Sequence, residues 1–479
     1  MAQNSESDQK KKPGMLLFKW VITIAVGLTI WFIPVPEGVS IVAWHLFAIF
    51  VATVVGIIAS PIPLGAIALL AIILIVLTRT LNISEALSGF SNDVIWLIVT
   101  AFFISRGFIK TGLGARVAYF FISLLGKNSL GLAYGFIATD LVLSPAIPSN
   151  TARGGGIIYP IIHSTAKTYN SDPGNNSSRK IGAFLIFASF HGLNITSAMF
   201  LTAMAANPLA VELASGLGVQ ITWGIWALAA LVPGLLSLIL IPLFIYFIYP
   251  PEIKYTPNAA IMAKENLNKM GKMTIHEWIL SFTFLLLLFL WIFGPIVKIQ
   301  TTAAALTGLG LLLVTKVLTW DDILKESGAW TTLIWYASLV MMATYLSKLG
   351  LVPWFAENVK NMVSGSNWVS AFIILSLIYF YSHYFLASNT AHVSSMYVPF
   401  LTVSIIVGTP PVLAALVLGF FSSLFSSMTH YGTGAAPVFF GSDYIDMKTW
   451  WKFGFYISII TIVIWLGVGG IWWKIIGLW

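Results

Sequence analysis

The chain has 479 residues, of which 58% are hydrophobic, and only 25 basic and 17 acidic residues carry a formal charge. A soluble protein of this length needs roughly 120 charges at about 25% of its residues. The charges present cannot coat a globule, and a mean hydropathy of +0.90 puts lipid rather than water against most of the surface. Soluble enzyme classes are thereby excluded, and the absence of cysteine removes disulfide frameworks, thiolate metal sites and cysteine nucleophiles.

In chain order, residues 1–14 are polar up to Lys10, Lys11 and Lys12 and carry no cleavage-site pattern, so they read as a retained cytoplasmic tail. Apolar runs long enough to cross a hydrocarbon core of about 30 Å lie at Met15–Val35, Ile41–Ser60, Ile181–Ala206, Ile221–Tyr249, Trp278–Val297 and Phe453–Trp473. Shorter runs at Leu64–Thr78, Val94–Ile109, Ala303–Thr315, Leu333–Leu346 and Pro411–Ser427 predict further crossings that neighbouring helices complete. Two more apolar stretches, from Leu130 and from Trp368, run into polar clusters at Ser149 and Ser388 and are expected to be re-entrant hairpins. The expected fold is an all-α polytopic membrane protein with about 11 transmembrane helices plus two re-entrant hairpins.

With the N-terminus inside, 19 basic residues fall on the cytoplasmic side and 5 on the other, with Arg153 left in the membrane. The basic excess follows the positive-inside pattern and predicts no nucleic-acid partner. The expected location is the bacterial cell (inner) membrane, N-terminus cytoplasmic and C-terminus extracytoplasmic. The polar stretch 250–277 is then a cytoplasmic linker between transmembrane halves 15–249 and 278–479.

Those halves repeat each other. Ile95-Trp96 matches Ile334-Trp335 at an offset of 239, and Lys110-Thr111-Gly112-Leu113 matches Lys348-Leu349-Gly350-Leu351 at 238. Ser149-Asn150-Thr151-Ala152 matches Ser388-Asn389-Thr390-Ala391, again at 239. Five crossings separate the copies, so they face opposite ways, the inverted repeat of secondary transporters, with substrate expected near the midplane where broken helices meet.

The paired Ser-Asn-Thr triplets are the strongest local signal. At a hairpin tip, unpaired backbone N–H groups and the positive end of the following helix attract a carboxylate. One triplet alone could merely cap a helix; two in the same repeat position point to a binding site. Each Ser-Asn-Thr-Ala is followed by a cationic or cationisable side chain, Arg153 in one half and His392 in the other. Intramembrane arginine is functional by default, the alternatives being a pair with Asp140 or snorkelling to the cytoplasm. His392 taken alone could be a satisfied buried histidine.

Other features carry plainer expectations. Asp321-Asp322 is a lone acidic pair, and His45, His163, His191 and His383 have no metal-ligand spacing and are expected to bond within the bundle. Gly154-Gly155-Gly156 lacks a phosphate-loop context and predicts close helix packing. Trp465, Trp472, Trp473 and Trp479 predict an interfacial anchor. No acid/base pair, nucleophile or metal cluster is evident, so neither an enzyme nor a cofactor is expected.

On these motifs the chain resembles the divalent anion:sodium symporters, whose hallmark is a Ser-Asn-Thr motif at each of two hairpin tips, and the resemblance covers Met15–Trp479. It implies a homodimer with a static scaffold domain and a moving transport domain that carries di- or tricarboxylates by an elevator motion. Within the family the chain is most similar to the exchanger branch, which includes bacterial citrate/succinate and tartrate/succinate antiporters and plastid 2-oxoglutarate/malate translocators. Ser149, Asn150, Thr151, Ser388, Asn389 and Thr390 are then the expected substrate-binding residues. Thr433, in the loop Thr429–Ala435, supplies a further substrate-contacting hydroxyl. In the matching loop, Thr202–Pro208, Met204 stands where symporters often place a small hydroxyl residue. The symporters bind sodium beside each tip, where Arg153 and His392 would replace its charge. The resulting expectation is sodium-independent exchange of C4 and C5 dicarboxylates such as succinate, malate, fumarate and 2-oxoglutarate across a lipid membrane. A sodium-coupled di/tricarboxylate symporter of the same fold is the nearest alternative.

Overall fold

The computed structural model describes residues 13–174, 177–363 and 367–479. The expected cytoplasmic tail, with Lys10, Lys11 and Lys12, lies almost wholly outside the described residues. The chain is all-α, and among the described residues the one β pairing outside helices is an isolated bridge between Asn128 and Tyr255. Apolar runs in lipid must satisfy every backbone group internally, which is why they coil into helices. Side chains of Ser40, Thr222, Thr274, Asn367 and Asp446 cap helix starts where the chain re-enters apolar sequence.

Nine helices among the described residues are long and apolar enough to cross a membrane, by length and composition. Eight coincide with expected crossings. The ninth, Trp368–Phe385, is the stretch expected to lead into the second tip, and it reaches crossing length because Trp368–Tyr381 continues into a 3₁₀ turn at Ser382–Phe385. Three expected crossings, Leu64–Leu77, Thr301–Val314 and Pro411–Ser427, are shorter apolar helices.

The chain divides into two compact units that cut across the sequence halves. The first comprises the described residues of Met1–Asn92 together with Thr331–Met362. Within it the Trp44 indole donates to the Ile30 carbonyl at 2.8 Å, and Trp31 stacks on His45 with ring centres 3.7 Å apart. Residue Ser338 returns to the same unit and donates to the Ala68 carbonyl at 3.1 Å. Gly89 packs so closely on Ala337 that a Cβ would sit 2.0 Å from the Ala337 carbonyl oxygen, so no larger residue fits there.

The second unit comprises Asp93–Trp330 and Val363–Trp479. At its centre lies helix Gly182–Met199, every residue of which is buried. Burial all round marks a helix with no face left for lipid. It packs beside Pro411–Leu424, itself buried from Leu413 onward, and the Ser423 hydroxyl joins the two by donating to the Asn194 carbonyl at 3.0 Å.

Residues 250–277, expected as a linker, pack against the rest of the second unit. Helix Pro257–Met270 lays its Ala259, Ala260 and Ala263 face against Leu113–Leu125, and Arg116 holds Glu277 at 2.6 Å while donating to the Gly271 carbonyl. Its apolar face is built from alanines, too small to register against the polar background. One expectation changes here: the C-terminal tryptophans are not a common interfacial anchor. Trp465 and Trp473 are fully buried, donating to the Ser237 hydroxyl and the Ala229 carbonyl, while Trp472 and Trp479 remain partly exposed.

The Asp321-Asp322 pair also acquires a role, at the start of helix Trp320–Lys325. Asp322 lies 2.6 Å from the Lys110 ammonium and forms a capping box with Thr319. Partial burial pushes the Asp322 carboxyl up, but hydrogen bonds from Lys110 and Thr319 and the charge of Lys110 outweigh it and bring it to about 2. The folded value lies below the unfolded one, so the stabilisation is complete above about pH 4 and is lost as the pH falls through the folded value. Thermal unfolding in detergent should therefore show a smaller loss of Tm between about pH 4 and pH 2 for Asp322→Asn than for the parent. Equal acid sensitivity of the two would contradict this role.

Candidate functional site

Two segments of the second unit share one series of elements. The first runs from helix Ser129–Leu143 through Pro145 and Pro148 to a four-residue helix Asn150–Arg153, a π-helical turn Gly154–Ile158, and helix Tyr159–Thr168 with Pro160 in its first turn. The second runs from Trp368–Tyr381 through the 3₁₀ turn to Asn389–His392, a π-helical turn Val393–Tyr397, and helix Val398–Ile406 with Pro399 in its first turn. The offset of 239 therefore extends beyond the triplets to the prolines. In each copy the serine is the cap: the Ser149 hydroxyl accepts from the Ala152 N–H at 3.1 Å, and the Ser388 hydroxyl from the Ala391 N–H at 3.4 Å. Capping occupies the serines and leaves the asparagines and threonines for other partners.

Each copy is followed by a broken helix. Gly182–Met199 stops at Phe200 and resumes as Ala206–Ser215, because Phe200 and Met204 take extended backbone. Pro411–Leu424 ends in a 3₁₀ turn, Phe425–Ser427, and a loop leads to Ala436–Phe440. An offset of 229 aligns the breaks, pairing Ser197 with Ser426, Ala203 with Gly432, and Met204 with Thr433. A broken helix leaves carbonyls without intrahelical partners, and buried carbonyls must find others.

The first tip meets both breaks. The Asn150 amide donates to the Thr433 hydroxyl at 2.7 Å and lies 3.8 Å from the Met204 sulfur, so matched positions of the two breaks flank one side chain. Thr151 closes on the same loop: a Cβ on Gly434 would sit 2.5 Å from its hydroxyl. At the second tip the Asn389 amide donates to the Ser422 carbonyl at 2.8 Å and to the Ser426 hydroxyl, with Thr390 half-buried beside it. The structure thus gathers Asn150, Thr151 and Thr433 in one cluster and Asn389 with the second broken helix in another.

Arg153 is fully buried, which excludes snorkelling. Its Nε donates to Asp140 Oδ1 at 2.9 Å, Nη1 to the carbonyls of Ile147 and Ala203 at 2.6 Å each, and Nη2 to the Ser197 hydroxyl at 2.7 Å. The pair with Asp140 exists and compensates the charge, and Asp140 in turn accepts from Thr196. The same guanidinium also bridges a carbonyl before the tip to a carbonyl of the helix break. Freed carbonyls of this kind hold cations in transporters with broken helices.

His392 is placed differently from its register partner. Its Nδ1 lies 3.0 Å from Nδ1 of His383 and its Nε2 lies 3.2 Å from the Ser382 hydroxyl, with both imidazoles stacked on Phe425. His383, and not His392, reaches the break, its Nε2 lying 2.7 Å from the Gly432 carbonyl oxygen. Sequence reasoning passed over His383 because its counterpart in the repeat is Ser144, so the register carries no signal for it.

Of the three consecutive glycines, Gly154 is held tightly, with 2.8 Å between a Cβ and Leu193 or Phe439, and Gly155 makes ordinary contact with Val438, while Gly156 faces open space. Close packing accounts for the first two. No group of three or more His, Asp or Glu suited to a metal occurs among the described residues. A cavity of about 510 Å³ in this unit is lined by Leu201 of the first break and by Trp223, which opens helix Trp223–Ile248. The Trp223 indole donates to Thr202, which donates to the Pro145 carbonyl, linking that cavity's wall to the first tip.

Residues 15–479 match the family described as the sodium:sulfate symporter transmembrane region. The chain is 58% identical to the putative malate transporter YflS of Bacillus subtilis, over 99% of this chain and 100% of that one. It is 52% identical to the chloroplastic dicarboxylate transporter 1 of Spinacia oleracea, over 95% and 81%, and 39% identical to the inner membrane protein YbhI of Escherichia coli, over 96% and 98%. Among solved structures it shares its fold with the YdaH transporter of Alcanivorax borkumensis, at a TM-score of 0.59 and 11% identity over 97% and 98% of the two chains. The chain belongs to the sodium:sulfate symporter family and is an integral membrane transporter rather than an enzyme.

Proposed function

We propose that this protein exchanges C4 and C5 dicarboxylates, such as succinate, malate, fumarate and 2-oxoglutarate, by sodium-independent antiport. The relatives named as malate and dicarboxylate transporters support the substrate class. Asn150, Thr151 and Thr433 would hold one carboxylate and Asn389 and Thr390 the other, through neutral donors backed by the capping Ser149 and Ser388. The tips would be re-entrant hairpins of an inverted repeat, carried by a moving transport domain against a static scaffold in a homodimer, with the N-terminus in the cytoplasm of a bacterial cell.

The observation that carries the exchange reading is Arg153 Nη1 between the Ile147 and Ala203 carbonyls. Those oxygens are the kind that a sodium ion needs, and here a tethered cation occupies them. Arg153 is nonetheless balanced by Asp140, so it brings no uncompensated charge to an empty carrier. A sodium-coupled symporter is the second reading, favoured by the description of the family itself.

In proteoliposomes, labelled succinate should enter only vesicles preloaded with a dicarboxylate, at the same rate in sodium and in potassium. Sodium-driven accumulation into vesicles without internal dicarboxylate would defeat the exchange reading and promote the symporter.

Arg153 can also be separated from its structural role. Asp140→Asn leaves a buried guanidinium without its counterion and should destabilise the protein by about 3–5 kcal/mol, read as a fall in Tm in detergent. The double change Asp140→Asn with Arg153→Met should recover much of that stability but not the sodium-independent exchange. A double variant that exchanges at the parental rate without sodium would reduce Arg153 to packing.

A further inference from the structure

The two halves satisfy the same broken-helix carbonyl by different means. In the first, one residue suffices: Arg153 reaches Ala203 and its charge is balanced by Asp140. In the second, the residue in Arg153's register, His392, stops one ring short of Gly432. We propose that His383 takes in the second half the place that Arg153 takes in the first, with its Nε2–H on the Gly432 carbonyl, and that His392 is the proton-carrying partner that makes the pair a conditional cation for the substrate. The proposal rests on the exchange reading above and deepens it.

Three observations converge on His383. The first is the register of the breaks, which makes Gly432 the counterpart of Ala203, the carbonyl that Arg153 binds. The second is the space around Gly432: a Cβ there would lie 2.8 Å from the Ser426 carbonyl oxygen, 3.0 Å from the Thr429 hydroxyl and 3.1 Å from His383 Nε2. The backbone is bare because the imidazole, a carbonyl and a hydroxyl crowd onto it. The third is the counterion. The residue at Asp140's register in the second half is Tyr379, whose hydroxyl is engaged with the Ser422 hydroxyl at 2.7 Å. A permanently charged guanidinium would lie there without a carboxylate, whereas an imidazole can be neutral until an anion arrives.

Hydrogen-bond accounting fixes where the proton goes. The Gly432 carbonyl only accepts, so His383 Nε2 carries a hydrogen. Neutral His383 then offers a lone pair at Nδ1, and the 3.0 Å contact requires His392 to donate from its Nδ1. The remaining nitrogen, His392 Nε2, faces the Ser382 hydroxyl, which also lies 2.8 Å from the Tyr379 carbonyl. When the hydroxyl donates to Nε2, the pair is neutral. When it turns to the Tyr379 carbonyl, its oxygen accepts from a protonated Nε2, and the pair carries one proton taken from water. One proton and one hydroxyl rotation separate the two states.

The other groups around the pair leave this proton to the histidines. Tyr379 packs on His392 from helix Trp368–Tyr381, with ring centres 4.6 Å apart, and Tyr397 of the π-helical turn donates to the Ala415 carbonyl. From the loop of the second break, His430 accepts from the Trp451 indole and Tyr431 donates to the Tyr384 carbonyl. Phe425 covers both imidazoles. Among the described residues neither His383 nor His392 forms a salt bridge.

The test is fumarate counter-exchange in proteoliposomes, because both fumarate carboxyls stay ionised over about pH 6 to 8, where imidazole titrates. The parent should show a KM that falls on acidification. His383→Leu leaves the Gly432 carbonyl without its partner and His392 without its acceptor, and should raise KM about tenfold or more and flatten the pH dependence. His383→Gln, whose amide can donate from the position of Nε2, should restore most of the affinity but not the pH dependence. Parental KM and pH profile in His383→Leu would overturn the proposal, and so would a glutamine variant as impaired as the leucine one, since that pattern marks packing alone. Sodium-driven uptake by the parent without counter-substrate would instead remove the exchange reading, whatever the histidine variants do.

Discussion

A helix broken inside an apolar bundle exposes carbonyl oxygens that water cannot reach, and the architecture of the second unit follows from how those oxygens are satisfied. Each left without a partner would cost roughly the full desolvation of a peptide group, about 1–3 kcal/mol. At the first break the partner is the guanidinium of Arg153, which spans the Ile147 and Ala203 carbonyls and the Ser197 hydroxyl. At the second it is the imidazole of His383 on Gly432. The surrounding order is consistent with these contacts: Asp140 is buried to balance Arg153, Gly432 has no side chain where His383 approaches, and helices Gly182–Met199 and Pro411–Leu424 are buried against each other.

This constraint also shapes the polar residues at the tips. Ser149 and Ser388 are committed to capping, and Asn150 bonds to Thr433 across the halves of the sequence. Cross-half contacts of this kind couple the geometry of one tip to the break that follows the other. The π-helical turns after both tips, Gly154–Ile158 and Val393–Tyr397, widen the helix directly behind the triplets. Such turns are frequent at functional sites.

What could be read in the sequence was what repeats at fixed spacing. The triplets and the cationic position after them follow from register, and the structure keeps that register as far as Pro160 and Pro399, whereas Thr433 and Met204 were singled out by the family resemblance. Asp140 could be named as a partner of Arg153 because it is the nearest acid in the same segment. His383 could not, because its counterpart is a serine and its importance lies in a contact with residue 432 on another element. The docked helix Pro257–Met270 was hidden for a related reason, since its buried face consists of alanines. Trp465 and Trp473 misled in the opposite direction: indoles near a chain end suggest an interface, but here their N–H groups find buried acceptors and the rings go inside.

The central claim is that tethered side-chain donors on the broken-helix carbonyls, Arg153 at the first break and His383 at the second, take the place of diffusible sodium. Calorimetric titration of succinate into the purified protein, once in sodium chloride and once in choline chloride at the same ionic strength, tests it most directly. The account predicts the same Kd in both buffers. A Kd about tenfold or more lower in sodium, a difference of about 1.4 kcal/mol, would show that a sodium ion still completes the site and would contradict the account.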